Sequence, residues 1–118
     1  MTEDGSRLVH LAVLTPREGR AEDLLASMRA MGEPADRHPG LRQHLIGRDR
    51  QTGRIVGITV WDSEDDWTQA VTEGRANLAQ TNFDMEAILE TGDALVLDVV
   101  DVVDRPAGLE YRGELPPG

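Results

Sequence analysis

The chain has 118 residues, 39% hydrophobic and 29% charged, the proportions of one globular domain that needs no metal or disulfide staple. Its 22 acidic residues outnumber 12 basic ones, and a net charge of −10 is repelled by phosphate backbones and anionic lipid, so no nucleic-acid or membrane partner is expected. Cysteine and lysine are both absent, which removes thiolate nucleophiles, thiolate metal sites, Schiff bases and Walker-type phosphate loops. In chain order, residues 7–15 (RLVHLAVLT) form an apolar run bounded by Pro16 and Gly19, a predicted strand. It is apolar on both faces: Leu8, Ala12 and Leu14 on one, Val9, Leu11 and Val13 on the other. Residues 19–32 space Leu24, Leu25, Met28 and Met31 as an amphipathic helix, broken by Pro34, Pro39 and Gly40.

Residues 41–49 predict a weaker strand, with Leu41 and Leu45 on one face and His44 and Ile46 on the other. The turn Asp49-Arg50-Gln51-Thr52-Gly53 leads into RIVGITVW, residues 54–61, the strongest β signal in the chain. Ser63 caps a second helix whose first turn carries Glu64, Asp65 and Asp66 and whose inner stripe is Trp67, Ala70, Val71 and Gly74. Arg75 and Asn77 are expected on its solvated end. Residues 82–91 suggest a short helix stopped by Gly92, and residues 94–103 a fourth strand with Asp98 and Asp101 on opposite faces. One domain over residues 1–118 is expected, its core about residues 7–104 and its tail, 105–118, irregular. No apolar run reaches the ~18–20 residues of a membrane span, and Met1 to Gly5 lack the marks of a signal peptide, so the cytoplasm is the expected location.

The order βαββαβ with right-handed crossovers predicts an α+β, ferredoxin-like antiparallel sheet, strand order 4-1-3-2, with both helices on one face. The third strand shows Ile55, Thr59 and Trp61 to one side and Val56, Ile58 and Val60 to the other. The helices cover only the first. A second copy is the simplest cover for the other, so a homodimer joined through Val56, Ile58 and Val60 is expected.

Pro39-Gly40, Arg48-Asp49 and Trp61-Asp62-Ser63-Glu64, set within PGLRQHLIGRD, RIVGITVW and DSEDDWTQA, resemble the antibiotic biosynthesis monooxygenase family of the dimeric α+β barrel superfamily. The opening strand with PREGRAEDLLASM is similar to the family's first segment, and the likeness spans about residues 8–103. It implies a dimeric α+β barrel with one cavity per protomer. It also implies a cofactor-independent monooxygenase acting on a small apolar, aromatic or polyketide-like molecule. Relatives with this fold include isomerases and cyclases, and a non-catalytic dimeric binding or stress-response protein is a third reading. The family's heme degraders use a strand-one asparagine and a second-helix histidine. Here the strand position is near Ala12 and no histidine follows His44, so heme is not expected.

The resemblance places Trp61 and Trp67 at a substrate cavity as flat apolar walls, with Thr59 on the same face offering a hydroxyl. If strands one and three pair in the family's register, His10 shares that face, where an imidazole can act as general base. Asp98, on a strand antiparallel to the first, is the candidate to orient it. His38 is expected to be exposed in its loop and His44 to sit near a sheet edge. HxH and HExxH spacings are absent, so neither a metal nor another cofactor is expected.

Overall fold

Seven elements follow one another in the computed structural model, which describes residues 7–101. They are β1 (Leu8–Pro16), α1 (Ala21–Asp36), β2 (Leu41–Arg48), β3 (Ile55–Trp61), α2 (Glu64–Ala79), α3 (Met85–Ile88) and β4 (Leu89–Asp98). The strands make one antiparallel sheet in the order β2-β3-β1-β4. This is the ferredoxin-like α+β topology that the element order predicts. The expected tail, residues 105–118, lies outside the described residues. Among the described residues no helix is long and apolar enough to cross a membrane.

Register decides what each face carries. Leu8, His10, Ala12 and Leu14 of β1 pair with Trp61, Thr59, Gly57 and Ile55 of β3 and look towards the helices. Two buried clusters close this layer, one of Leu8, Trp61, Ala35 and Ala70, the other of Leu24, Ile55 and Ile88. On the opposite face Val9, Leu11 and Val13 pair with Val60, Ile58 and Val56. Among the described residues no helix lies over that face.

Three elements depart from their predicted limits, each for a physical reason. Helix α1 does not stop at Gly32 but runs to Asp36, through Pro34. Proline lacks the N–H that would bond the carbonyl four residues back. That carbonyl, on Ala30, accepts instead from Asn77 Nδ2 of α2. Asn77 is therefore half-buried and tied across the helix pair, not solvated as expected. The same two helices meet where Gly74 faces the Met31 backbone carbonyl, with no room for a Cβ.

In β2 the register slips between Leu41 and Gln43, so Leu41 stands opposite Trp61 and Leu45 opposite Ile58. The slip moves Leu41 onto the helix side, with His44 and Ile46, where it packs against the Trp61 cluster. Strand β4 begins at Leu89 and ends at Asp98, five residues earlier at both ends than predicted. Its length is set by its template: it pairs from Pro16 to Leu8 along β1 and stops where β1 stops. Gly92 consequently lies inside the strand opposite Leu14, and α3 shrinks to a single turn. Asp101 falls beyond the strand. The turns behave as their residues require: Gly53 sits at φ 78°, and Ser63 accepts the Asp66 N–H as N-cap of α2.

Candidate functional site

Between the two buried clusters the sheet and helices do not close. Ala12 of β1 and Gly32 and Ala35 of α1 are too small to fill the layer. The space left is a cavity of about 140 Å3. His10 and Thr59 rise from the sheet, Trp61 closes one end, and Trp67, Ala70 and Val71 come from α2. Met28 and Met31 descend from α1.

All four residues placed at a cavity by the sequence argument line this one space: His10, Thr59, Trp61 and Trp67. His10 and Thr59 are direct partners across β1 and β3. The His10 and Trp67 rings lie 5.4 Å apart between centroids, tilted by 36°. Burial against apolar neighbours lowers the His10 pKa below the ordinary imidazole value, because the charged form loses its water. The group is thus a neutral base at neutral pH. Trp61 is 2% exposed, and its indole N–H donates to Thr59 Oγ1 at 2.8 Å. Thr59 thereby keeps its own proton to donate, with one lone pair of its oxygen taken by the indole. The Trp67 N–H is buried and has no acceptor among the described residues.

Asp98 is not brought to His10. It stands opposite Leu8, and the β4 partner of His10 is Val96. Asp98 is exposed, and no hydrogen bond joins it to His10 among the described residues. The β1–β4 register, which sets Asp98 against Leu8, fixes the separation.

Of the other two imidazoles, His44 lies on the edge strand β2 as expected, and His38 departs from expectation. The His38 side chain is only 10% exposed. Its Nδ1 accepts the Gly40 N–H at 3.0 Å, so its proton belongs on Nε2, 3.3 Å from Gln69 Oε1. The ring meets Trp61 edge-on at 5.7 Å. It latches the loop that supports the tryptophan. His44 pairs with Thr59 on the cavity side of β2 and hydrogen-bonds Asp36 Oδ1 through Nδ1 at 2.6 Å. Its Cε1 lies 3.2 Å from where a Cβ on Gly32 would stand. Among the described residues no three His, Asp or Glu side chains converge to hold a metal ion.

A two-helix layer over one face of a four-stranded antiparallel sheet, with an apolar cavity between them, defines a ferredoxin-like α+β protein with a small-molecule-sized site. The chain belongs to the antibiotic biosynthesis monooxygenase family, whose model matches residues 7–77. Solved structures share the fold. PA3566 from Pseudomonas aeruginosa aligns with a TM-score of 0.70 at 20% identity, over 85% of this chain and 100% of its own. SnoaB from Streptomyces nogalater, a cofactor-independent oxygenase, aligns with a TM-score of 0.63 at 16% identity, over 85% of this chain and 99% of its own. Rv0793 from Mycobacterium tuberculosis aligns with a TM-score of 0.65 at 19% identity, over 84% and 100%. No curated protein matches the chain by sequence.

Proposed function

We propose that this protein is a homodimeric, cofactor-independent monooxygenase that oxidises an electron-rich aromatic small molecule. The observation that carries the reading is His10: one imidazole, kept neutral by burial, beside Trp67 in an otherwise apolar cavity. The family match and the likeness to a cofactor-independent oxygenase point the same way. Such a reaction asks little of the protein beyond one base and a dry cage.

His10 takes a proton from a phenolic hydroxyl or an acidified carbon, with Thr59 donating its proton to the oxygen that gains charge. The electron-rich carbon, which still carries one hydrogen, then bonds to dioxygen, and the peroxide anion formed takes the proton back from His10 to become a hydroperoxide. Loss of water leaves a new carbonyl at that carbon. One oxygen atom enters the product, the other leaves as water, and the substrate supplies all the electrons. Trp61 and Trp67 hold the ring and exclude bulk water from the anion.

An oxygen-electrode assay with hydroxyarene substrates tests the reaction. Oxygen uptake stoichiometric with product is expected, falling ~10²–10⁴-fold in His10→Ala, the usual cost of a lost general base. Substrate turnover without oxygen uptake would instead make the same cavity that of an isomerase or cyclase. Full activity in the alanine variant removes His10 as the base.

A further inference from the structure

We infer that Met28 and Met31 are oxygen acceptors within the cavity: an organic hydroperoxide held there is reduced to its alcohol as these thioethers become sulfoxides. The inference rests on the reading that this cavity binds small organic molecules, and it gives the site an activity beyond oxygenation. Both side chains come from one face of α1, three residues apart, and line the space across from His10 and Thr59 of the sheet. The third described methionine, Met85 of α3, packs on the Leu24–Ile55–Ile88 cluster and is not among the residues lining the cavity. All three are half-buried. Position at the cavity, not exposure, sets two of them apart.

The step balances without another reagent. A sulfur lone pair attacks the outer peroxide oxygen, and the O–O bond breaks with its electron pair left on the inner oxygen. The proton of the outer oxygen passes to the inner one through the Thr59 hydroxyl, whose own proton is free to move on. The hydroperoxide is reduced to an alcohol, and the thioether supplies both electrons. In the proposed oxygenase a hydroperoxide forms in this same cavity, so transfer to sulfur competes with loss of water and leaves a hydroxyl in place of the carbonyl. A sulfoxide is polar where the thioether was apolar, so each transfer alters the roof until a methionine sulfoxide reductase restores it.

Cumene hydroperoxide, an aromatic hydroperoxide, tests this without turnover of a substrate, and hydrogen peroxide reports exposure alone. Cleavage after arginine puts Met28, Met31 and Met85 on three separate peptides, and mass spectrometry follows the gain of one oxygen on each. Cumene hydroperoxide is expected to oxidise Met28 and Met31 about tenfold or more faster than Met85, and hydrogen peroxide to oxidise all three at similar rates. Cumyl alcohol should appear mole for mole with sulfoxide. The double change Met28→Leu and Met31→Leu keeps the volume and removes both sulfurs, so rapid alcohol formation should be lost. The same preference with both peroxides would overturn the inference, because exposure would then account for it. So would Met85 keeping pace under cumene hydroperoxide, or undiminished alcohol formation in the double variant. Selective oxidation in a protein that takes up no oxygen with hydroxyarenes would remove the oxygenase reading and leave this activity standing.

Discussion

Burial sets the protonation state of His10, and that has a consequence for stability as well as for chemistry. The unfolded chain protonates this imidazole near pH ~6.5. The folded protein, in which burial lowers the pKa, protonates it only at lower pH. Between these two values the unfolded state binds more protons, so stability rises with pH and is lost as pH falls through the window. Urea unfolding at about pH 7.5 and about pH 5.5 checks this: the wild type should lose more stability over the drop than His10→Gln, which does not titrate. The same shift keeps His10 basic below the pH at which an exposed histidine would be charged. The acid limb of any oxygenase activity should therefore lie below pH ~6.5. Trp61 and Trp67 show how alike residues acquire different work: one spends its N–H on Thr59, while the other stays unpaired beside the imidazole.

At the scale of elements, the α1–α2 pair is held by a substitution of one donor for another. Pro34 leaves the Ala30 carbonyl without its helical partner, and Asn77 supplies one from the neighbouring helix. Asn77→Ala should cost about 1 kcal/mol, the net worth of a half-buried hydrogen bond whose acceptor water can partly reach. In a Pro34→Ala background the backbone N–H at position 34 is restored and the same change should cost much less. Chemical denaturation of the four proteins of this cycle measures the difference, and equal costs in both backgrounds would show that Asn77 acts elsewhere. This contact matters to the site because Met28, Met31 and Gly32 of α1 roof the cavity and Trp67, Ala70 and Val71 of α2 wall it. A helix pair that slips changes the cavity.

For the whole molecule the open question is the sheet face without helices. Leu45, Ile58, Leu11 and Leu95 form one apolar row across all four strands, and Val60, Val9 and Leu97 form a second. Leu45, Leu95 and Leu97 are respectively 50%, 57% and 45% exposed in the single chain. We propose that a second copy covers this face, with Val56, Ile58 and Val60 at the interface; an isologous contact buries the same rows on both protomers. Sedimentation velocity at micromolar concentration should show twice the chain mass. Ile58→Asp should give a folded monomer, because an unpaired carboxylate cannot be buried there while the helix-side core is untouched. A wild-type monomer would end the proposal.

Local pattern determined the order of elements, the alternation that groups His10 with Ala12 and Thr59 with Trp61, the Ser63 cap and the Gly53 turn, because each depends only on neighbours in the chain. The sheet order followed from the right-handed crossover rule, and the helix-facing side from the family's register. Local pattern did not reveal where β4 begins or where α1 ends. The first is decided by pairing along β1, the second by a donor on α2, and both lie far away in sequence. His38 reads as a loop residue and becomes a buried latch only once Gly40 and Gln69 surround it. Asp98 shares His10's face but is kept from it by a register that no local pattern encodes. The cavity itself is a tertiary property. It exists because Ala12, Gly32 and Ala35, unremarkable one at a time, are small at the same place.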